Sequence, residues 1–467
     1  MKALIITSTA LWLTLAAQAQ NKSGGISEDM LHNIQKEQKL APADRALQNA
    51  IAANAIDDLA KNHLNAGELD TYFSVETKKQ TISDQKQSGR CWMFSGMNVL
   101  RSDFNRRTDS LVVEFSQAYL FFWDQLEKAN LMLQGVIETA TKPIDDQRVQ
   151  FFFHYPIGDG GTFCGVADLA DKYGMVPKEA MPETFSSDNT SKARSLIASK
   201  LREYGLQLRD MVQKGKKQQA LEKAKTRMLA QIYHMLQYVI GQPPATFNYA
   251  FKNEQGKAVG HAKEYTPKTF YQQVMGGKVL NGSFVMVMND PRREYYKTYE
   301  VEYDRHTYDG HNWKYVNLPM DDIESMAIDA LKAGQKLYSS YDVGKMLDRK
   351  RGYADTENFD YALLFGTTFG MDKGQRISTF DSGSTHAMTL TAVDLDDKGK
   401  AKKWKVENSW GGSWGQQGCL IMTDRWLREY MFRLVVPNEF VPAKVMNAYN
   451  TTPVMVMPED PLFLPDE

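Results

Sequence analysis

A thiol becomes a nucleophile as its thiolate, and a nearby imidazole can take that proton and later hand it to a leaving amine. Cys91 follows the turn residues Ser88 and Gly89 in Gln85-Lys86-Gln87-Ser88-Gly89-Arg90-Cys91-Trp92-Met93-Phe94-Ser95. From there Trp92, Ser95, Gly96, Val99 and Leu100 recur at helical spacing. A cysteine on the first turn of a helix faces N–H groups without intrahelical acceptors and the positive end of the macrodipole, and both favour thiolate. A lone cysteine is more often a buried structural residue, so its companions decide. His386 opens a strand pattern in Ser384-Thr385-His386-Ala387-Met388-Thr389-Leu390. Trp404-Lys405-Val406-Glu407-Asn408-Ser409-Trp410-Gly411-Gly412 follows after the polar loop 394–402. Consecutive strands joined this way pair as a hairpin, which brings Asn408 alongside His386. The Asn408 amide oxygen then accepts the imidazole N–H and sets its tautomer. Trp410 covers that bond, and Gln85 is placed to donate, with the Cys91 N–H, to an oxyanion.

The elements that must position these groups are legible in outline. Residues 20–80 read as an N-terminal helical arm, with apolar spacing around Leu47, Ile51, Ala55 and Leu59. Residues 81–185 form a helical domain carrying the nucleophile; Ser116 is an N-cap candidate and the aromatic run after it is core. Within this domain, Gly158-Asp159-Gly160-Gly161 precedes a helix that stops at Gly174. The pair Gly160 and Gly161 lets another backbone approach, although a plain turn is the simpler reading. Residues 186–275 are mainly helical and basic, read as a helical hairpin with a solvated face, or as a polyanion-binding surface. Residues 276–440 turn to strand patterns, including 284–288, 336–341, 385–393 and 403–407. From Pro437 the recurrent prolines predict an extended, non-helical arm, residues 441–467.

Composition narrows the class. The 467 residues carry a net charge of −1, so the overall balance calls for neither nucleic acid nor an anionic membrane surface. Three cysteines, Cys91, Cys164 and Cys419, are too few and too scattered for a disulfide framework. No zinc-ligand or P-loop pattern occurs, so no metal or cofactor is expected. Residues 1–19 combine Lys2, an apolar stretch and Ala17-Gln18-Ala19, which reads as a secretory signal peptide. The protein is therefore expected to be exported, periplasmic or secreted, with no membrane association after cleavage.

Taken in order, Gln85, Cys91-Trp92, Gly160-Gly161, His386 and Asn408-Ser409-Trp410-Gly411 resemble the papain superfamily of cysteine peptidases. Two departures narrow the resemblance. Ser88 stands where secreted papains usually have a disulfide cysteine. The Cys91–His386 separation is about twice the roughly 130–150 residues of an ordinary papain. Together with Ser116-Gln117-Ala118-Tyr119-Leu120-Phe121-Phe122-Trp123, Asp342-Val343-Gly344-Lys345 and Met457-Pro458-Glu459-Asp460-Pro461, the chain is similar to the bleomycin hydrolase/aminopeptidase C family over roughly residues 26–467. The resemblance implies an α+β, papain-like fold, with a helical domain, a β-barrel-like domain, a helical insertion and a C-terminal arm in the active-site cleft. It implies a homohexamer and peptide substrates with a free N-terminus, bound by Gly160 and Gly161, with the terminal carboxylate at Glu467 pairing with the substrate's α-ammonium. Catalytic roles fall to Cys91, His386 and Asn408, an oxyanion role to Gln85 and shielding of the Asn–His pair to Trp410. An endopeptidase of the same chemistry and a polyanion-binding oligomer are the alternatives; nucleic acid is not an expected partner.

Overall fold

The computed structural model describes residues 24–38, 41–65, 70–108 and 111–463; the expected signal segment and Glu467 lie outside them. The chain divides into two compact units, residues 1–61 and 62–467. Among the described residues the first holds three helices, Glu28–Glu37, Pro42–Ala53 and Ile56–Ala60. The helical arm thus ends sooner than its expected boundary at 80. Val75–Glu76 instead joins the main unit as a strand, pairing antiparallel with His386–Leu395.

In the main unit a helical layer packs against a large sheet. Among the described residues the sheet has twelve strands. Its centre runs Cys419–Thr423, Ala401–Glu407, His386–Leu395, Leu337–Tyr341, Met431–Pro437 and Phe284–Met288, each antiparallel to the next. The 386–395 and 401–407 strands form the expected hairpin, with Thr389 opposite Glu407. One apolar core joins the helical layer to one face of the sheet through Trp92, Leu120, Phe122, Leu133, Phe163 and Phe432. A second, on the other face, gathers Val287, Leu331, Leu390, Trp404, Trp426 and Leu434.

The nucleophile helix, Cys91–Thr108, lies in the first core, with Met93, Met97 and Leu100 almost wholly buried. Beside it runs Gln117–Glu138, whose first turn is capped by Ser116 Oγ accepting from Tyr119 N at 3.1 Å. The insertion is built on a pair of long helices, Thr190–Gln213 and Gln218–Val239, followed by three short strands and the helix Pro267–Met275. Leu221, Met228, Ile232 and Leu236 form its buried stripe. Several of its basic residues are not a free face. Arg209 donates to the carbonyls of Thr139 and Lys142, Arg202 to those of Phe153 and His154, and Lys225 to Gln134.

The expectation of a helix-free tail is corrected. Ala443–Tyr449 is a helix with Pro442 as its N-cap. Proline at a helix start sacrifices no hydrogen bond, and no proline falls inside this one. The chain then turns extended as Val454–Val456, parallel to Lys297–Val301 at the sheet edge. Asp460 accepts from Arg292 at 2.8 Å and Arg293 at 2.7 Å. Leu462 and Phe463 are buried beyond it.

Candidate active site

Helix and sheet meet at Cys91. The residue opens its helix, and its Sγ accepts from the Ala387 N–H at 3.5 Å. One turn on, Ser95 Oγ donates to the Ala387 carbonyl at 2.9 Å. The helix start is thereby pinned to the residue that follows His386. Cys91 and His386 line one cleft of about 720 Å³.

The His386 ring is buried, and its Nε2 lies 2.8 Å from Asn408 Oδ1. An amide oxygen only accepts, so Nε2 carries the proton and Nδ1 is left as the nitrogen available to a thiol. Asn408 Oδ1 also accepts from the Ser409 N–H at 2.7 Å, which holds the amide in that orientation. The Trp410 ring sits 4.8 Å from the imidazole, centroid to centroid. Burial pushes the His386 imidazole down to about 4, against an upward pull from Asn408. An imidazolium is therefore stable here only with an anion beside it, which a thiolate at the helix N-terminus would supply.

Gln85 is turned by a second set of bonds. Its Oε1 accepts from Ser409 Oγ at 2.6 Å, and its backbone N–H donates to the Ser409 carbonyl at 2.8 Å. With the oxygen so occupied, the amide nitrogen faces the turn before Cys91 and donates one hydrogen to the Ser88 carbonyl at 2.5 Å. An amide carries two, which leaves the second for an oxyanion. Where papains place a disulfide cysteine, Ser88 Oγ donates to the Gln85 carbonyl at 2.6 Å and accepts from Arg90 Nε at 3.0 Å. Hydrogen bonds close this turn. No disulfide joins the three thiols, all among the described residues.

The Peptidase C1-like family model matches residues 25–463 of the sequence. The chain belongs to that family. It is 37% identical over 421 residues to aminopeptidase G of Lactobacillus delbrueckii subsp. lactis, covering 90% of this chain and 95% of that protein. Human bleomycin hydrolase is 34% identical, covering 83% and 87%. The crystal structure of pepw from Lactobacillus rhamnosis HN001 superposes with a TM-score of 0.89 at 35% identity, covering 94% of this chain and 99% of that one. The fold of this C1-like chain is the α+β, papain-like one.

The glycine pair has unequal roles in this family member. A Cβ on Gly160 would meet nothing within 4 Å, whereas one on Gly161 would lie 2.1 Å from His306 Cε1 and 2.8 Å from the Trp92 ring. The constraint at Gly161 is thus the His306 ring packed beneath it. His306 Nδ1 lies 2.6 Å from Asp124 Oδ1, and its Nε2 accepts from the Thr162 N–H at 3.2 Å. Lys128 pairs with Asp124 at 2.9 Å and donates to the carbonyls of Gly158 and Gly160. Asp159 ties the same loop to the nucleophile turn. Its Oδ2 accepts from the Gly89 N–H at 2.7 Å and from Thr190 Oγ1, its Oδ1 pairs with Arg194 at 3.0 Å, and its carbonyl accepts from Trp92 Nε1 at 2.8 Å. Burial opposes its ionisation, but Thr190, the Gly89 N–H and Arg194 outweigh that and hold the carboxyl below its usual range. Asp124 and Lys128 stand four apart on one helix, a local pair, but the His306 that Asp124 holds and the partners of Asp159 lie far along the chain and escape a sequence reading. Asp159 itself carried a local signal, its place between Gly158 and Gly160.

Proposed function

We propose that this chain is a cysteine-type aminopeptidase that removes N-terminal residues from peptides. The observation that carries this reading is the hydrogen-bonded His386–Asn408 pair, seated in the same cleft as a cysteine that opens a buried helix. The Cys91 thiolate, paired with the His386 imidazolium, attacks the scissile carbonyl and forms the carbon–sulfur bond. Gln85 Nε2 and the Cys91 N–H receive the oxyanion. The tetrahedral species collapses, His386 gives its proton to the departing amine, and an acyl-thioester remains. Water, deprotonated by the now neutral imidazole, attacks that thioester; the acid leaves and the thiolate–imidazolium pair is restored. Asn408 and Trp410 keep the ring in plane and shielded throughout.

Restriction to the N-terminus is assigned to the arm. Leu462 and Phe463 line the cleft and Asp460 is clamped by Arg292 and Arg293, which supports a tail that fills the non-primed side. The expected pairing of Glu467 with a substrate ammonium belongs to this proposal, as do a homohexameric assembly and export of the mature chain. Cys91→Ser decides the chemistry. Hydrolysis of aminoacyl-arylamides should vanish while the circular dichroism spectrum is unchanged, and full retained activity removes Cys91 from the mechanism. Digestion of one peptide with a free and with an acetylated N-terminus, read by mass spectrometry, separates aminopeptidase from endopeptidase.

A further inference from the structure

Arg433 is a buried cation without an ion-paired carboxylate among the described residues. It is 8% exposed, and its Nε is sealed from solvent with no acceptor. Trp313 and Phe463 hold its guanidinium, with ring centroids 5.0 and 5.6 Å from Cζ. Cation–π contacts orient such a group but leave its N–H donors unused. Burying an uncompensated charge is costly, so the arrangement calls for an acceptor.

Register says where that acceptor would lie. Ala387 is opposite Ser340, and Ser340 is opposite Arg433 on the next strand. Side chains at paired positions share a face of the sheet. Ala387, Ser340 and Arg433 all line the cleft. Two strand spacings put Arg433 about 10 Å from the residue that touches the Cys91 sulfur. Neither neighbouring acid neutralises it: burial pushes the Cys164 thiol and the Tyr338 phenol up, so both stay protonated. Asp304 lines the same cleft but makes no ion pair with Arg433.

We propose that Arg433 is a carboxylate-recognition point in the cleft wall. This rests on reading the cleft as the peptide-binding site. Guanidinium takes a carboxylate through two parallel N–H···O bonds. Two sources have that chemistry: an acidic residue near the N-terminus of a substrate, and the side chains of Asp466 or Glu467, which follow Phe463 closely in the chain.

The test compares kcat/KM for Glu- and Gln-initiated arylamides, and for free and N-acetylated peptides. It uses the full chain, Arg433→Gln, Arg433→Lys and the doubly substituted Asp466→Asn/Glu467→Gln. With substrate as the source, the unaltered protein prefers Glu over Gln by about tenfold or more, Arg433→Gln abolishes the preference and Arg433→Lys keeps part of it. With the chain's own acids as the source, that preference is absent. Arg433→Gln and the double variant then each raise cleavage of acetylated peptides about tenfold or more relative to free ones. Turnover of the Gln-initiated substrate by the unaltered protein separates a failure here from a failure of the aminopeptidase reading. An Arg433→Gln enzyme that turns over this substrate normally and shifts neither ratio beyond twofold overturns the proposal. If Arg433→Gln does not fold, the unaltered protein and the double variant suffice. No Glu preference in the first, with no change in acetylated-peptide cleavage in the second, overturns it equally.

Discussion

The His386 ring pays for its position in the currency of pH. With no thiolate beside it, burial pushes its imidazole down to about 4 in the fold, against near 6.5 when unfolded. Between those values the unfolded chain binds more protons, so this group's contribution to stability is intact above about 6.5 and is lost as pH falls towards 4. In Cys91→Ala there is no thiolate to hold the proton in the folded state. That variant should lose about 3 kcal/mol of unfolding free energy between pH 7 and pH 4, read from urea titrations. Adding His386→Phe should flatten most of that dependence. In the proposed mechanism Gln85, anchored by Ser409 and Ser88, keeps one N–H for the oxyanion. Gln85→Ala should cost on the order of 10²–10³ in kcat with KM nearly unchanged; a steady-state assay in which only KM moves would relocate Gln85 to substrate binding.

At the scale of elements, the loop 158–161 is the joint between the nucleophile turn, the insertion and the helix Gln117–Glu138. Asp159 holds three of those contacts through Gly89, Thr190 and Arg194. Asp159→Asn removes the charge from these bonds and should destabilise the fold by roughly 1–3 kcal/mol, measured by denaturant midpoint. Because this carboxyl sits below its usual range, its contribution is present above the unfolded value near 3.9 and fades as pH drops further. Gly161→Ala would drive a methyl into the His306 ring. It should cost roughly 1–3 kcal/mol, whereas Gly160→Ala should be nearly silent in the same melt because that side is open.

Across the whole molecule, the arm couples the sheet edge to the cleft. Val454–Val456 extends the sheet, Asp460 is gripped by two arginines that also hold buried Asp290, and Leu462 and Phe463 reach the active-site wall. Asp460→Ala leaves both arginines short of an acceptor and should loosen the arm. Mass spectrometry of digests should then show internal cleavage and hydrolysis of acetylated peptides, with arylamide kcat within a few-fold of the unaltered protein. Light scattering tests the hexamer; a monomer at assay concentrations would remove the homohexameric assembly from the proposal.

The sequence by itself determined the nucleophile helix, the 386–407 hairpin, the Ser116 cap and the two insertion helices. Each is encoded in local spacing, turn residues and strand alternation, and the hairpin alone brings His386 to Asn408. Proline spacing misled for 443–449, because a helix needs only a short proline-free run and tolerates Pro442 at its start. Tertiary structure decided what depends on residues distant in sequence. It set Gly161 rather than Gly160 over His306, gave Asp159 its partners on two other elements and left Arg433 facing the cleft without a carboxylate. Periodicity reports which face of an element is buried, but not which side chain from across the fold arrives opposite it.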